Sequence, residues 1–124
     1  MYTVDVVYKN VLGEGEKCDN SSSNRASYDW HGPGWYRFID GAGTMMPEKS
    51  PGLKKCGTRY SGWVNKKHPG PEKDKEVQIN FDGNNTSSKA TIRNCGNYFV
   101  YKLQDTQKCA MRYCGTTEGE ININ

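Results

Sequence analysis

The residues with the widest chemical repertoire in this 124-residue chain are its five cysteines: Cys18, Cys56, Cys95, Cys109 and Cys114. A thiol can bridge to another thiol, ligate a soft metal or attack an electrophile. An odd number allows at most two internal bridges, so one sulfur stays a free thiol or joins a second chain. Cys109 and Cys114 are spaced so that, with Cys56, Cys95 or His68, they could surround zinc. In a short, polar chain the disulfide outcome is favoured, and it implies an oxidising, extracellular setting. Catalysis has thin support. His31 and His68 are the two histidines, and the sequence contains no Gly-x-Ser-x-Gly elbow, phosphate loop or His-Glu-x-x-His pair. No enzyme activity is expected.

Binding chemistry is better represented. The run Tyr28-Asp29-Trp30-His31-Gly32-Pro33-Gly34 sets an indole among polar groups. An aromatic face packs on the apolar side of a pyranose while carboxylates and imidazole take its directional hydroxyls. Asp29, Trp30, His31 and, further on, Asp40 are therefore the expected sugar contacts; the competing reading of Trp30 is a cap on the core. Calcium suits such a site because a hard cation takes oxygen ligands, including adjacent sugar hydroxyls. Asp82, Asn84, Thr86 and Ser88 alternate oxygens like the start of an EF-hand loop, but the twelfth position would be Arg93, so a plain turn competes. Asp82, Asn84, Asn85 and Glu48 are the expected metal ligands. The sequons at Asn20, Asn84 and Asn85 mark a glycoprotein, and a glycan at either of the last two would compete with metal there.

These residues need a scaffold, and the chain supplies β-strands. Residues 2 to 8, 34 to 39, 57 to 64, 76 to 81, 90 to 93 and 98 to 103 are rich in β-branched or aromatic side chains and predict short strands. Gly41-Ala42-Gly43 implies a tight turn or close backbone approach. Asp82-Gly83-Asn84-Asn85 predicts one hairpin turn, and Asn94-Cys95-Gly96-Asn97 a second with a cysteine at its tip. No window keeps helical periodicity over three turns. A mainly β fold follows: a small, disulfide-stapled antiparallel sheet domain with long loops.

Size and composition narrow the function. At this length one domain is expected. Seventeen Lys and Arg against fourteen Asp and Glu give +3, with the signs mixed along the chain, so no nucleic-acid partner is expected. No apolar run approaches the roughly 20 residues that span a bilayer, so no membrane insertion is expected. The start Met1-Tyr2-Thr3-Val4 carries no basic segment followed by an apolar stretch, so an export signal is expected to lie outside this sequence.

Several blocks stand in a specific order: Cys18-Asp19-Asn20, Trp35-Tyr36-Arg37-Phe38, Gly41 to Glu48, Cys56-Gly57-Thr58, Trp63-Val64-Asn65 and His68-Pro69. Asn94 to Leu103, Cys109 and Tyr113-Cys114-Gly115 complete it. The series resembles the cysteine-rich extracellular module, with eight or ten cysteines, of uromodulin-like proteins, and covers residues 18 to 115 of a single module spanning 1 to 124. Ser50 and Ser87-Ser88 stand where that family usually carries cysteines. The resemblance implies bridges Cys18–Cys109 and Cys56–Cys114, and leaves Cys95 without its usual partner; an interchain Cys95 bridge would then make a homodimer. By analogy with small secreted invertebrate lectins of similar build, it implies a secreted, calcium-dependent lectin for terminal galactose-type glycans, bivalent through that dimer. The alternative it implies is a non-enzymatic extracellular adhesion or structural module excised from a larger multidomain protein.

Overall fold

The computed structural model describes residues 2–4, 18–23, 30–52, 56, 58, 60–81, 86–107 and 111–117. They form one sheet of seven strands: β1 (Tyr2–Val4), β2 (Gly34–Phe38), β3 (Tyr60–Val64), β4 (Asp74–Phe81), β5 (Ser87–Asn94), β6 (Phe99–Leu103) and β7 (Met111–Tyr113). The order across the sheet is β1-β2-β6-β5-β4-β3-β7. The four inner pairings are antiparallel, whereas the edge strands β1 and β7 join β2 and β3 in parallel. The mainly β expectation holds, with two parallel edges added to the antiparallel centre. No α-helix occurs among the described residues, and a 3-10 turn spans Asp40–Ala42.

Strand alternation decides which face is inside. In β5, Ser88, Ala90, Ile92 and Asn94 are buried while Lys89 and Arg93 are exposed, the period of two that a sheet with one wet face requires. β4 does the same with Val77, Ile79 and Phe81 inward. The inner face carries Tyr36, Phe38, Tyr101, Leu103 and Tyr113, and no helix covers it among the described residues. Trp30, Ala42, Met46 and the Cys56–Cys114 disulfide pack onto it instead. That bridge spans 58 positions and ties the segment before β3 to the end of β7.

Two glycines let the covering segment approach. Gly43 has φ +83°, and a side chain there would strike the backbone of Thr116. One on Gly115 would strike the backbone of Ala42. Met45 and Thr116 exchange backbone hydrogen bonds, Thr116 N–H to Met45 O at 2.7 Å and Met45 N–H to Thr116 O at 3.2 Å. The tight approach expected of Gly41-Ala42-Gly43 is therefore real. Asp40 lies at φ +48°, a left-handed position that glycine fills most easily and that Asp tolerates.

The expected hairpin at Asn94-Cys95-Gly96-Asn97 joins β5 to β6. Cys95 N–H donates to Tyr98 O at 2.8 Å and Gly96 takes φ +97°. The turn expected at 82 to 85 lies outside the described residues, as do positions 5 to 8 of the first strand.

Candidate functional site

Glu48, His68 and Tyr101 form a hydrogen-bonded chain inside the protein. The His68 backbone N–H and ring Nδ1 both reach Glu48 Oε2, at 2.5 and 2.7 Å. His68 Nε2 lies 2.7 Å from the Tyr101 hydroxyl, which accepts Met46 N–H at 2.9 Å. Burial lowers the His68 pKa more than Glu48 raises it, so the ring is neutral. One proton arrangement satisfies every contact: Nδ1–H donates to the carboxylate and the Tyr101 O–H donates to Nε2. The ring also meets Phe99 at 4.5 Å between centroids. The composition is that of a proton relay, but Tyr101 is fully buried and burial pushes its pKa up, so its hydroxyl has no access to a substrate. The chain instead braces the loop before β3 and the segment after it against β6.

The outer face of the sheet is the accessible surface. An open groove of about 1040 Å³ runs over the middle of it, lined among others by Lys66, Glu76, Gln78, Lys89, Thr91 and Lys102. Strand register builds this lining: Glu76 faces Thr91, Gln78 faces Lys89, Thr91 faces Lys102, and Lys102 faces Trp35. One row therefore crosses four strands from carboxylate to hydroxyl to ammonium to indole. No ion pair among the described residues engages Lys66, Lys89 or Lys102. Beside the groove, the Arg93 guanidinium stands 4.8 Å from the Trp35 ring centre and pairs with Asp74 at 2.9 Å. Arg37 stands 3.9 Å over Tyr98. Such cation–aromatic contacts hold long side chains flat on a sheet surface.

Asp105 closes one end of the groove. It accepts Ser21 N–H at 2.8 Å, the Ser21 hydroxyl at 3.0 Å and Trp30 Nε1–H at 2.7 Å. Burial pushes its pKa up, but these donors outweigh that and hold it below the ordinary carboxylate value.

The expected sugar and metal residues fall at separate centres. Trp30 is 7% exposed and stacks on Tyr36 at 4.7 Å with the rings 7° from parallel, so it caps the core and presents no open face. His31 is exposed, its backbone N–H donating to the Tyr36 hydroxyl at 2.8 Å. Asp40 is exposed on the 3-10 turn, and Glu48 belongs to the His68 chain. Asp29, Asp82, Asn84, Asn85 and Cys109 lie outside the described residues. Cys18 is disulfide-bonded and Cys95 is a free, half-buried thiol. With its sulfur bridged to Cys56, Cys114 has no thiolate for zinc. No group of three or more His, Cys, Asp or Glu is placed to hold a metal among the described residues. The groove is what sequence reasoning missed. Its signal was the alternation Lys89-Ala90-Thr91-Ile92-Arg93, which sends the polar half to one face.

Known proteins share this framework. The chain is 31% identical over 113 residues to the rat (Rattus norvegicus) pancreatic secretory granule membrane major glycoprotein GP2, a match covering 84% of this chain and 21% of that protein. The human (Homo sapiens) form is 28% identical over 110 residues, covering 84% and 20%. Rat uromodulin is 27% identical over 114 residues, covering 87% and 17%. The chain thus spans about a fifth of the length of these curated relatives. The sequence profile of the uromodulin-like, eight-cysteine domain matches residues 36–115, a stretch that holds Glu48, His68, Tyr101, Cys56 and Cys114, and with its brace and its disulfide inside that match the chain belongs to the uromodulin-like domain family.

Proposed function

We propose that this chain is a non-enzymatic extracellular adhesion module that meets its partner with the outer face of its sheet. The observation that carries this is the split between the two faces. The acid–base chain Glu48–His68–Tyr101 is sealed inside as a brace, while Lys89, Lys102, Gln78 and Glu76 stand exposed on paired, rigid strands. A disulfide-stapled sheet suits the oxidising space outside the cell. Extracellular placement also draws on the relatives, one of them named for the secretory granule. Beads coated with the chain should adhere to epithelial cell surfaces, and the Lys89→Gln/Lys102→Gln variant should adhere less. Equal adhesion by the two proteins would refute the assignment to this face.

Carbohydrate binding is the second reading, and the groove favours it, because Gln78, Thr91 and Gln104 offer the directional donors and acceptors that sugar hydroxyls need. Its finer form is a calcium-dependent, galactose-preferring lectin. That form draws on His31 and Asp40 at the surface and on Asp29, Asp82, Asn84 and Asn85, since Trp30 and Glu48 are taken up by the core. In the same form Cys95, at its hairpin tip, couples two copies and adds avidity. A glycan array run with calcium and again with a chelator tests the metal. Non-reducing electrophoresis of the chain and of Cys95→Ser tests the dimer.

A further inference from the structure

We propose that the outer-face groove takes a terminal sugar bearing a carboxylate, the acidic end of a glycoprotein oligosaccharide. The proposal rests on the reading that this face is the contact surface, and it names what the face recognises. Four features of the groove select that chemistry.

The first is charge. Lys66, Lys89 and Lys102 line the groove and take part in no ion pair among the described residues. An unpaired ammonium beside a low-dielectric wall attracts an anion more strongly than one in open water. The second is the spacing of the opposite sign. Glu76 and Asp105 stand in the same lining, so a polyanion with charge on every ring meets repulsion from both, whereas a ligand with one carboxylate among neutral hydroxyls does not. The third is the neutral set. Gln78, Thr91 and Gln104 lie among the lysines and supply donors and acceptors for hydroxyls. The fourth is position in the sheet. β4, β5 and β6 are each paired on both sides, so the groove floor offers no free strand edge. An extended peptide, which binds sheets chiefly through edge hydrogen bonds, gains little here; a sugar, recognised by side chains, loses nothing.

The test is a titration of the whole chain with sialyllactose, lactose and a heparin-derived hexasaccharide, followed by backbone amide shifts in NMR. Sialyllactose should shift the amides of Lys89, Thr91 and Lys102, and lactose, which lacks the carboxylate, should bind about tenfold more weakly or worse. Lys89→Gln/Lys102→Gln should lose about tenfold in sialyllactose affinity with its remaining spectrum unchanged, since both side chains are exposed. Glu76→Gln should bind sialyllactose no worse. Equal affinity for lactose, tightest binding by the hexasaccharide, or shifts confined to another face would overturn the proposal. If the lysine variant loses cell adhesion while the parent ignores sialyllactose, the acidic-sugar assignment falls and the contact face stands. If sialyllactose binds the groove but adhesion is insensitive to the lysines, the adhesion reading falls instead.

Discussion

The Tyr101 hydroxyl sits 2.7 Å from His68 Nε2 while accepting the amide hydrogen of Met46, so one oxygen serves two buried partners on different chain segments. Neither partner has water as a substitute, because Tyr101 and Met46 are fully buried and the His68 side chain is 4% exposed. Removing that oxygen leaves an unmet acceptor on the imidazole and an unmet donor on the backbone. At about 1–3 kcal/mol for each orphaned group, Tyr101→Phe should cost on the order of 2–5 kcal/mol, measured by urea unfolding. A double-mutant cycle with His68→Gln should show a coupling energy of about 1 kcal/mol or more. Additive costs would mean that the two side chains do not share a bond.

Acid should weaken the protein through His68 before it reaches any carboxylate. Burial keeps the folded ring from taking a proton, against the pull of Glu48 and with Lys75 adding to the resistance, while the unfolded ring protonates near the ordinary 6.5. Below that value the unfolded state binds more protons, so stability declines as pH falls; above it this group contributes no slope. Asp74 and Asp105, both held below the ordinary 3.8, lose their contribution only at lower pH. The melting temperature should drop between about pH 7 and about pH 5, and His68→Gln, though less stable throughout, should be flatter in that window. A parallel slope in the variant would move the effect to another group.

Gly115→Ala should be far more damaging than its size suggests. Its added methyl would meet the Ala42 backbone, which the Met45–Thr116 hydrogen bonds hold in place. Relief requires separating those two segments, at a cost on the order of 3 kcal/mol. Gly70, with open space where a side chain would go, is the control, and Gly70→Ala should stay within about 0.5 kcal/mol. Similar losses at both sites would point to backbone entropy instead of collision.

Local chemistry made the centre of the sheet legible, and non-local contacts hid its edges. Trp35, Tyr36 and Phe38 announce β2, and Asn94-Cys95-Gly96-Asn97 announces its hairpin, because each signal is complete within a few residues. β7 is three residues long and is fixed by a parallel pairing with β3, some fifty positions away, so Met111-Arg112-Tyr113 carries no strand signal of its own. The site divides in the same way. Trp30 has the composition of a sugar platform, and only the fold reveals Tyr36 beneath it and Asp105 at its indole nitrogen. Glu48 and His68 stand twenty positions apart and meet because Pro47 O accepts Val64 N–H, which carries the chain after β3 alongside the Glu48 loop.

Reducing the Cys56–Cys114 bridge should destabilise the fold without rearranging it first. The bridge joins residues 58 positions apart, and by the chain-entropy account closing a loop of that length removes about 4 kcal/mol of unfolded-state freedom. Both sulfurs lie at 0% exposure within the core cluster, so reductant reaches them only through opening of the sheet. Two consequences separate this bridge from an exposed one. In a Cys95→Ser background, which removes thiol exchange from the hairpin tip, the melting temperature under native conditions should be unchanged over minutes in mild reductant. After denaturation in strong reductant and refolding, the same variant should melt well below its oxidised form, or fail to refold. Rapid loss of the bridge in mild reductant would show that the β3–β7 edge opens independently of the rest of the sheet.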